Sequence, residues 1–123
     1  MKYFYISIIL ALSLTGCSSK DDSAESMAEL TCEHVKDMDL VGLKEYTSKK
    51  FTKVLGISQN ILDDMKRSGT EEELENYKAQ YDCSNIGSAK ATDLGVEFII
   101  SKIANQRAYF KEVDGKWKLV NMR

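Results

Sequence analysis

Residues 107–122 read RAYFKEVDGKWKLVNM, and this stretch decides the fold. Two runs rich in strand-forming residues flank Asp114-Gly115, a pair that favours a two-residue type I′ turn between antiparallel strands. The turn also fixes which residues face each other across the hairpin. The register places three pairs opposite one another: Val113 and Lys116, Glu112 and Trp117, Phe110 and Leu119.

Both faces of this hairpin are predicted to carry apolar side chains, because alternate residues of a strand point to opposite faces. The first face holds Ala108, Phe110, Trp117 and Leu119. The second face holds Tyr109, Val120 and Met122. We expect helices to cover the first face, and the second to be half exposed or covered by a partner.

Two further segments favour strands upstream of the hairpin. Leu94–Ile103 is rich in β-branched and aromatic residues, which fit a pleated sheet. Tyr77–Cys83 alternates weakly between polar and apolar residues, a period typical of a strand. Together with the hairpin, these segments predict an antiparallel sheet of about four strands.

The N-terminal half of the chain has helical spacing. Residues 24–38 carry apolar side chains three and four positions apart, and Leu40–Phe51 continues the pattern after a potential cap at Asp39. Ser58 can cap a third helix, and Thr70 with Glu73 three positions later predicts a capping box for a fourth. Helices followed by strands indicate an α+β fold with the helices packed on one side of the sheet.

Composition restricts the classes of protein to consider. The chain has 123 residues, of which 43% are hydrophobic and 29% charged, which fits one small globular domain. A net charge of -2 gives no electrostatic basis for binding nucleic acid. The segment 86–123 nevertheless holds seven basic and four acidic residues. This imbalance is typical of ordinary solvated surfaces, or of a basic sheet face that meets an acidic partner or ligand.

The first seventeen residues have the pattern of an export signal. Lys2 precedes an apolar run of 12 residues at positions 3–14, too short to span a bilayer as a helix. Leu14-Thr15-Gly16-Cys17 resembles the lipobox of bacterial lipoproteins, in which the signal is cut before a cysteine that then receives a diacylglycerol. An ordinary signal peptide with a chance cysteine and a buried N-terminal strand are the alternatives.

The lipobox resemblance divides the chain into three parts. Residues 1–16 are predicted to be a signal peptide, residues 17–26 a lipidated tether, and residues 27–123 a single α+β domain. By the sorting rule of enterobacterial lipoproteins, Ser18 after the cysteine implies delivery to the outer membrane. The domain is then expected at the inner leaflet of that membrane, facing the periplasm, with the membrane as a partner through the lipid on Cys17.

Cys32 and Cys83 are the remaining cysteines. An even pair in an oxidising compartment favours a disulfide. Two separate buried thiols are the main alternative. His34 lies two positions from Cys32, but no paired ligand spacing of a zinc site is present, so we predict no metal site.

A resemblance to a known superfamily rests mainly on Tyr109–Leu119. This stretch, with the helical N-terminal half and the lipobox, resembles small bacterial lipoproteins of the nuclear-transport-factor-two-like superfamily. The segment Cys32–Lys49 is similar to that superfamily's helix, turn and second short helix. The resemblance covers roughly residues 27–123 and implies a cone made by a curved antiparallel sheet wrapped on helices. Enzymes of the superfamily place acid/base residues inside the cone, and no such set matches here, so no catalytic residue is predicted.

The candidate binding residues are aromatic. They could line a pocket or an interface, although aromatic residues on a sheet more often form plain core. The five candidates are Tyr81, Phe98, Tyr109, Phe110 and Trp117. We expect a non-enzymatic lipoprotein, without a cofactor, that binds a small ligand or an envelope component. The alternatives are an accessory or inhibitor lipoprotein acting by protein contact, and an enzyme of the same superfamily with an unrecognised site.

Overall fold

A computed structural model describes residues 23–123, so the predicted signal peptide, Cys17 and most of the predicted tether lie outside the described residues. The helices precede the strands in the order α1 Ala24–Lys36, a 3₁₀ helix Val41–Tyr46, α2 Lys49–Ser68 and α3 Glu71–Lys78. The strands are β1 Lys90–Thr92, β2 Gly95–Ser101, β3 Gln106–Val113 and β4 Lys116–Met122. They form one antiparallel sheet in the order β1-β2-β3-β4, which confirms the predicted α+β class.

The first helix begins inside the predicted tether. Ser23 is its N-cap and accepts a hydrogen bond from the backbone N–H of Ser26, so residues 24–26 are helical. The helix ends at Lys36, and Met38 follows with a left-handed φ of 58° that turns the chain. One face of α1 is buried and packs against β2, β3 and β4.

The prediction of a helix beginning after Ser58 was wrong. Ser48 is the cap instead, because its hydroxyl accepts from the N–H of Phe51, and α2 then runs unbroken for 20 residues. Ser58 lies in its interior. The preceding segment forms only a short 3₁₀ helix, where Asp39 accepts from the N–H of Gly42 at 3.2 Å.

The capping box of α3 is confirmed, but the strand predicted over Tyr77–Cys83 was wrong. Thr70 and Glu73 exchange side-chain and backbone hydrogen bonds, and the helix they start continues through Tyr77 to Lys78. Residues 79–89 then form turns and irregular chain. The capping signal of Thr70 and Glu73 thus outweighs the weak alternation. Tyr77 on the helix and Tyr81 beyond its end still meet, with their ring centroids 5.3 Å apart.

The C-terminal hairpin forms as predicted. All three predicted pairs are present, and Asp114 and Gly115 have φ values of 54° and 79°, as a type I′ turn requires. The register shifts between Tyr109 and Phe110, so Tyr109 pairs with Asn121 and Ala108 with Met122. The extra residue of this bulge turns Met122 towards the Ala108 face, and the prediction that it shares a face with Tyr109 was wrong.

The core lies between α1, the start of α2 and the inner face of the sheet. Thr47 makes an isolated parallel bridge to Leu119, and the N–H of Ser48 donates to the carbonyl of Leu119 at 2.9 Å. These bonds join the end of the 3₁₀ helix to the edge of β4. They thereby place Glu45 and Tyr46 beside the hairpin.

Candidate functional site

Four of the five candidate aromatic residues are buried. Phe98 and Phe110 lie in the core and meet edge to face at a centroid distance of 5.9 Å, so they fill the space between α1 and the sheet. Tyr81 also belongs to this core. Only Trp117, which is half buried, lines one of the grooves described below.

Tyr109 is buried on the opposite face of the sheet, within a group of charged side chains. Its hydroxyl donates to Glu97 at 2.7 Å, and the guanidinium of Arg123 lies 5.9 Å from its ring centroid. Arg107 lies 3.9 Å from the same carboxylate group of Glu97. The hydrogen bond to Glu97, together with burial, raises the pKa of Tyr109, so this tyrosine keeps its proton and stays a donor.

Tyr77 and Tyr81 fix α3 and the following loop to the rest of the domain. Tyr77 donates to the carbonyl of Val35 at 2.7 Å, and Tyr81 donates to the side chain of Gln106. Burial raises the pKa of both phenols. Both tyrosines therefore make structural hydrogen bonds.

The disulfide between Cys32 and Cys83 is present, as predicted. It joins the buried face of α1 to the irregular segment after α3, with a Cα–Cα distance of 5.5 Å. His34 points elsewhere and donates from Nδ1 to the carbonyl of Asp39 at 3.0 Å. Within residues 23–123 no group of three or more His, Cys, Asp or Glu side chains could hold a metal ion.

A groove of about 580 Å³ lies at the N-terminal end of α1, between this helix, the 3₁₀ helix and β4. Its apolar wall is built from three elements that are distant in sequence: Met27, Leu30, Tyr46 and Trp117. Ser26, Glu45, Lys116 and Lys118 supply its polar groups. We call this the Trp117 groove. Its volume falls in the range of small-molecule sites, about 300–1,000 Å³.

A second groove of about 660 Å³ continues from the first, because both share Glu45, Lys116 and Lys118. Lys44 and Lys49 also line it, which brings four lysines to one concave surface. Lys118 donates to the backbone carbonyl of Glu45 at 2.7 Å, so its ammonium is held at the junction of the two grooves. We call this second groove the lysine groove.

Sequence reasoning identified Trp117 but missed its neighbours. Tyr46 and Leu30 are far from the hairpin in sequence, and only the bridge of Thr47 to Leu119 and the packing of α1 bring them together. The Lys-Trp-Lys sequence at 116–118 is the one local signal that could have indicated a mixed aromatic and cationic site, and sequence reasoning did not use it. The arrangement can hold a ligand with an apolar body and an anionic group.

No protein-family model matches this chain, and no curated protein or solved structure matches it either. In the part of the chain that the structure describes, none of the helices combines the length and apolar character needed to cross a membrane.

Proposed function

We propose that this chain is a lipid-anchored protein of the bacterial cell envelope that binds an anionic amphiphilic ligand, without catalysing a reaction on it. The observation that carries the ligand class is the continuity of the Trp117 groove with the lysine groove. The aromatic wall suits an acyl chain or other apolar body, and the lysines suit a carboxylate or phosphate.

The envelope location rests on Leu14–Cys17, which lies outside the described residues. A lipid on Cys17, inserted in the inner leaflet of the outer membrane, holds the domain on the periplasmic side. Residues 17–23 span at most ~22 Å even when fully extended. Ser26 and Met27 line the Trp117 groove. Because so few residues separate them from Cys17, the groove is expected to lie close to the membrane surface.

The anchor is tested by replacing Cys17 in the full chain. The Cys17→Ala variant should no longer incorporate labelled palmitate and should leave the membrane fraction, whereas Ser18→Ala should behave as the unchanged chain. Incorporation of palmitate by Cys17→Ala would refute lipidation at this position.

Ligand binding can be read from Trp117 directly, because it is the only tryptophan of the chain. We expect a dansyl-labelled fatty acid, held below its micellar concentration, to quench Trp117 by energy transfer with a saturable dependence on concentration. Reversing two groove charges, Lys116→Glu with Lys118→Glu, should weaken binding by ~10-fold or more.

The matched control is Lys102→Glu, a charge reversal on an exposed lysine in the turn between β2 and β3 that lines neither groove. It should leave the affinity unchanged, and a dansyl-labelled fatty alcohol should bind more weakly than the acid. Absence of saturable transfer, or equal weakening by Lys102→Glu and by the groove variant, would refute the proposed ligand class.

A further inference from the structure

The second helix exposes a continuous apolar stripe. Val54, Ile57, Ile61 and Met65 are 45%, 65%, 59% and 39% exposed, although all are large hydrophobic residues. At 3.6 residues per turn they lie within ~80° of one another around the helix and extend for ~16 Å along it. The helix buries a different face, with Phe51, Leu55 and Gln59, against its own domain. An apolar surface of this kind on a folded domain is typical of a contact site.

The order of residues in this stripe is nearly symmetric. Ile57 and Ile61 form its centre, with Val54 and Met65 at its two ends. If two copies of α2 cross in antiparallel directions, Ile57 of each copy meets Ile61 of the other, and Val54 meets Met65. Such self-complementarity is what a two-fold interface requires.

Two of the charges beside the stripe have the same symmetry. Lys53 and Asp64 lie on one flank of it, near opposite ends. In an antiparallel helix pair this flank lies beside the same flank of the second copy, which runs in the opposite direction. Lys53 of the first copy then lies opposite Asp64 of the second, and Lys53 of the second opposite Asp64 of the first. Asp64 pairs with Arg67 of its own helix, but exposed pairs of this kind contribute little and can exchange partners.

We propose that a second copy of this chain covers the stripe, with the two α2 helices antiparallel and Lys53 of each copy facing Asp64 of the other. The isoleucines supply the apolar contact and the charge pairs fix the direction of crossing. None of the four stripe residues lines the Trp117 groove or the lysine groove, so this inference does not depend on the proposed ligand.

A cysteine on the flank of the stripe tests the arrangement in the full chain, in the envelope. Asn60 is exposed and lies on the Lys53 and Asp64 flank, ~105° around the helix from the centre of the stripe. That position is too far from its counterpart for a disulfide, which needs Cβ atoms about 4 Å apart. A flexible bis-maleimide, which has a longer reach, should therefore link Asn60→Cys of the two copies into a dimer seen on denaturing gels. Lys66→Cys is the matched control, because it is exposed on the same helix but points ~140° away from the centre of the stripe. It should give little crosslinked dimer.

Charge exchange tests the direction of crossing. With Asn60→Cys present, either Lys53→Asp or Asp64→Lys alone should lower the crosslinked fraction by ~5-fold, because each places like charges opposite one another. Combining both changes in one chain should restore it. Co-expressing the two single variants under different tags should give the mixed dimer in preference to either homodimer.

Three results would overturn the proposal. The first is a crosslinked fraction for Asn60→Cys no higher than for Lys66→Cys, and the second is no recovery in the combined charge variant. The third is another occupant of the stripe. It would appear as a crosslink to a different protein, or as a monomer whose Asn60→Cys thiol is shielded from maleimide by residues 17–22 of its own chain.

Discussion

Gln59 is a polar side chain in the buried face of α2, and it bonds to the turn that follows α1. Its Oε1 accepts from the N–H groups of Leu40 and Val41 at 2.6 and 3.1 Å. Its Nε2 donates to the carbonyl of Met38 at 3.0 Å and to Asp63 at 2.9 Å. One amide therefore satisfies three backbone groups that turn the chain from α1 into the 3₁₀ helix.

We expect Gln59→Ala to lower the free energy of unfolding by about 2–3 kcal/mol. The truncation leaves backbone donors and an acceptor without partners in a buried turn, and unsatisfied buried groups cost more than the mean hydrogen bond contributes. Urea denaturation followed by circular dichroism measures the change. Asn76→Ala, an exposed amide on α3, is the control and should change stability by less than about 0.5 kcal/mol. Equal effects of the two variants would contradict the role given to Gln59.

The hairpin of β3 and β4 depends on a turn in which both central residues have positive φ. Gly115 has a φ of 79°, and no atom lies within 4 Å of the position that a Cβ would take there. Gly115→Ala should therefore cost only the backbone strain of a left-handed residue, about 1 kcal/mol. Thermal or urea unfolding gives the value.

The control for this substitution is Gly56→Ala, in the interior of α2. A Cβ at Gly56 also meets open space, but the backbone there is helical, so alanine should raise stability by up to about 1 kcal/mol. The same change from glycine to alanine is thus expected to lower the free energy of unfolding at Gly115 and to raise it at Gly56. A stabilising Gly115→Ala would mean that the turn is not of the type I′ class.

The elements that could be predicted from sequence are those whose signals are local. Asp114-Gly115 and the capping box of Thr70 and Glu73 each act over a few residues, and both formed as predicted. The length of α2 could not be predicted, because its buried face includes Gln59 where apolar spacing expects a hydrophobic residue. The bulge beside Tyr109 leaves no mark in the alternation of β4, and it changed the face of Met122.

The candidate site was predictable only in part for the same reason. Trp117 belongs to the hairpin and was identified with it. Leu30 on α1 and Tyr46 on the 3₁₀ helix reach the Trp117 groove through tertiary packing. No periodicity within a segment indicates which distant segment it will meet.

At the scale of the whole domain, the disulfide between Cys32 and Cys83 joins the first helix to the irregular chain that leads into the sheet. Cys32 is fully buried on α1, and Cys83 lies in the segment between α3 and β1, at a sequence separation of 51. Tyr81, two residues before Cys83, packs in the same core and bonds to Gln106 on β3. The disulfide therefore holds a segment without regular structure against α1, and Tyr81 holds the same segment against the sheet.

We expect the double variant Cys32→Ala with Cys83→Ala to have a free energy of unfolding lower by up to about 4 kcal/mol. A disulfide that closes a loop of this length lowers the conformational entropy of the unfolded chain, and this loss of entropy corresponds to about 4 kcal/mol of stability. Against a total of ~5–15 kcal/mol for a native protein, this is a large share. Urea denaturation followed by Trp117 fluorescence measures it, and dithiothreitol should lower the midpoint of the unchanged chain to nearly the same value. The double variant itself should not respond to the reductant. A decrease in the free energy of unfolding below about 1 kcal/mol would mean that packing of Tyr81 and its neighbours, rather than the disulfide, holds the helices and the sheet together.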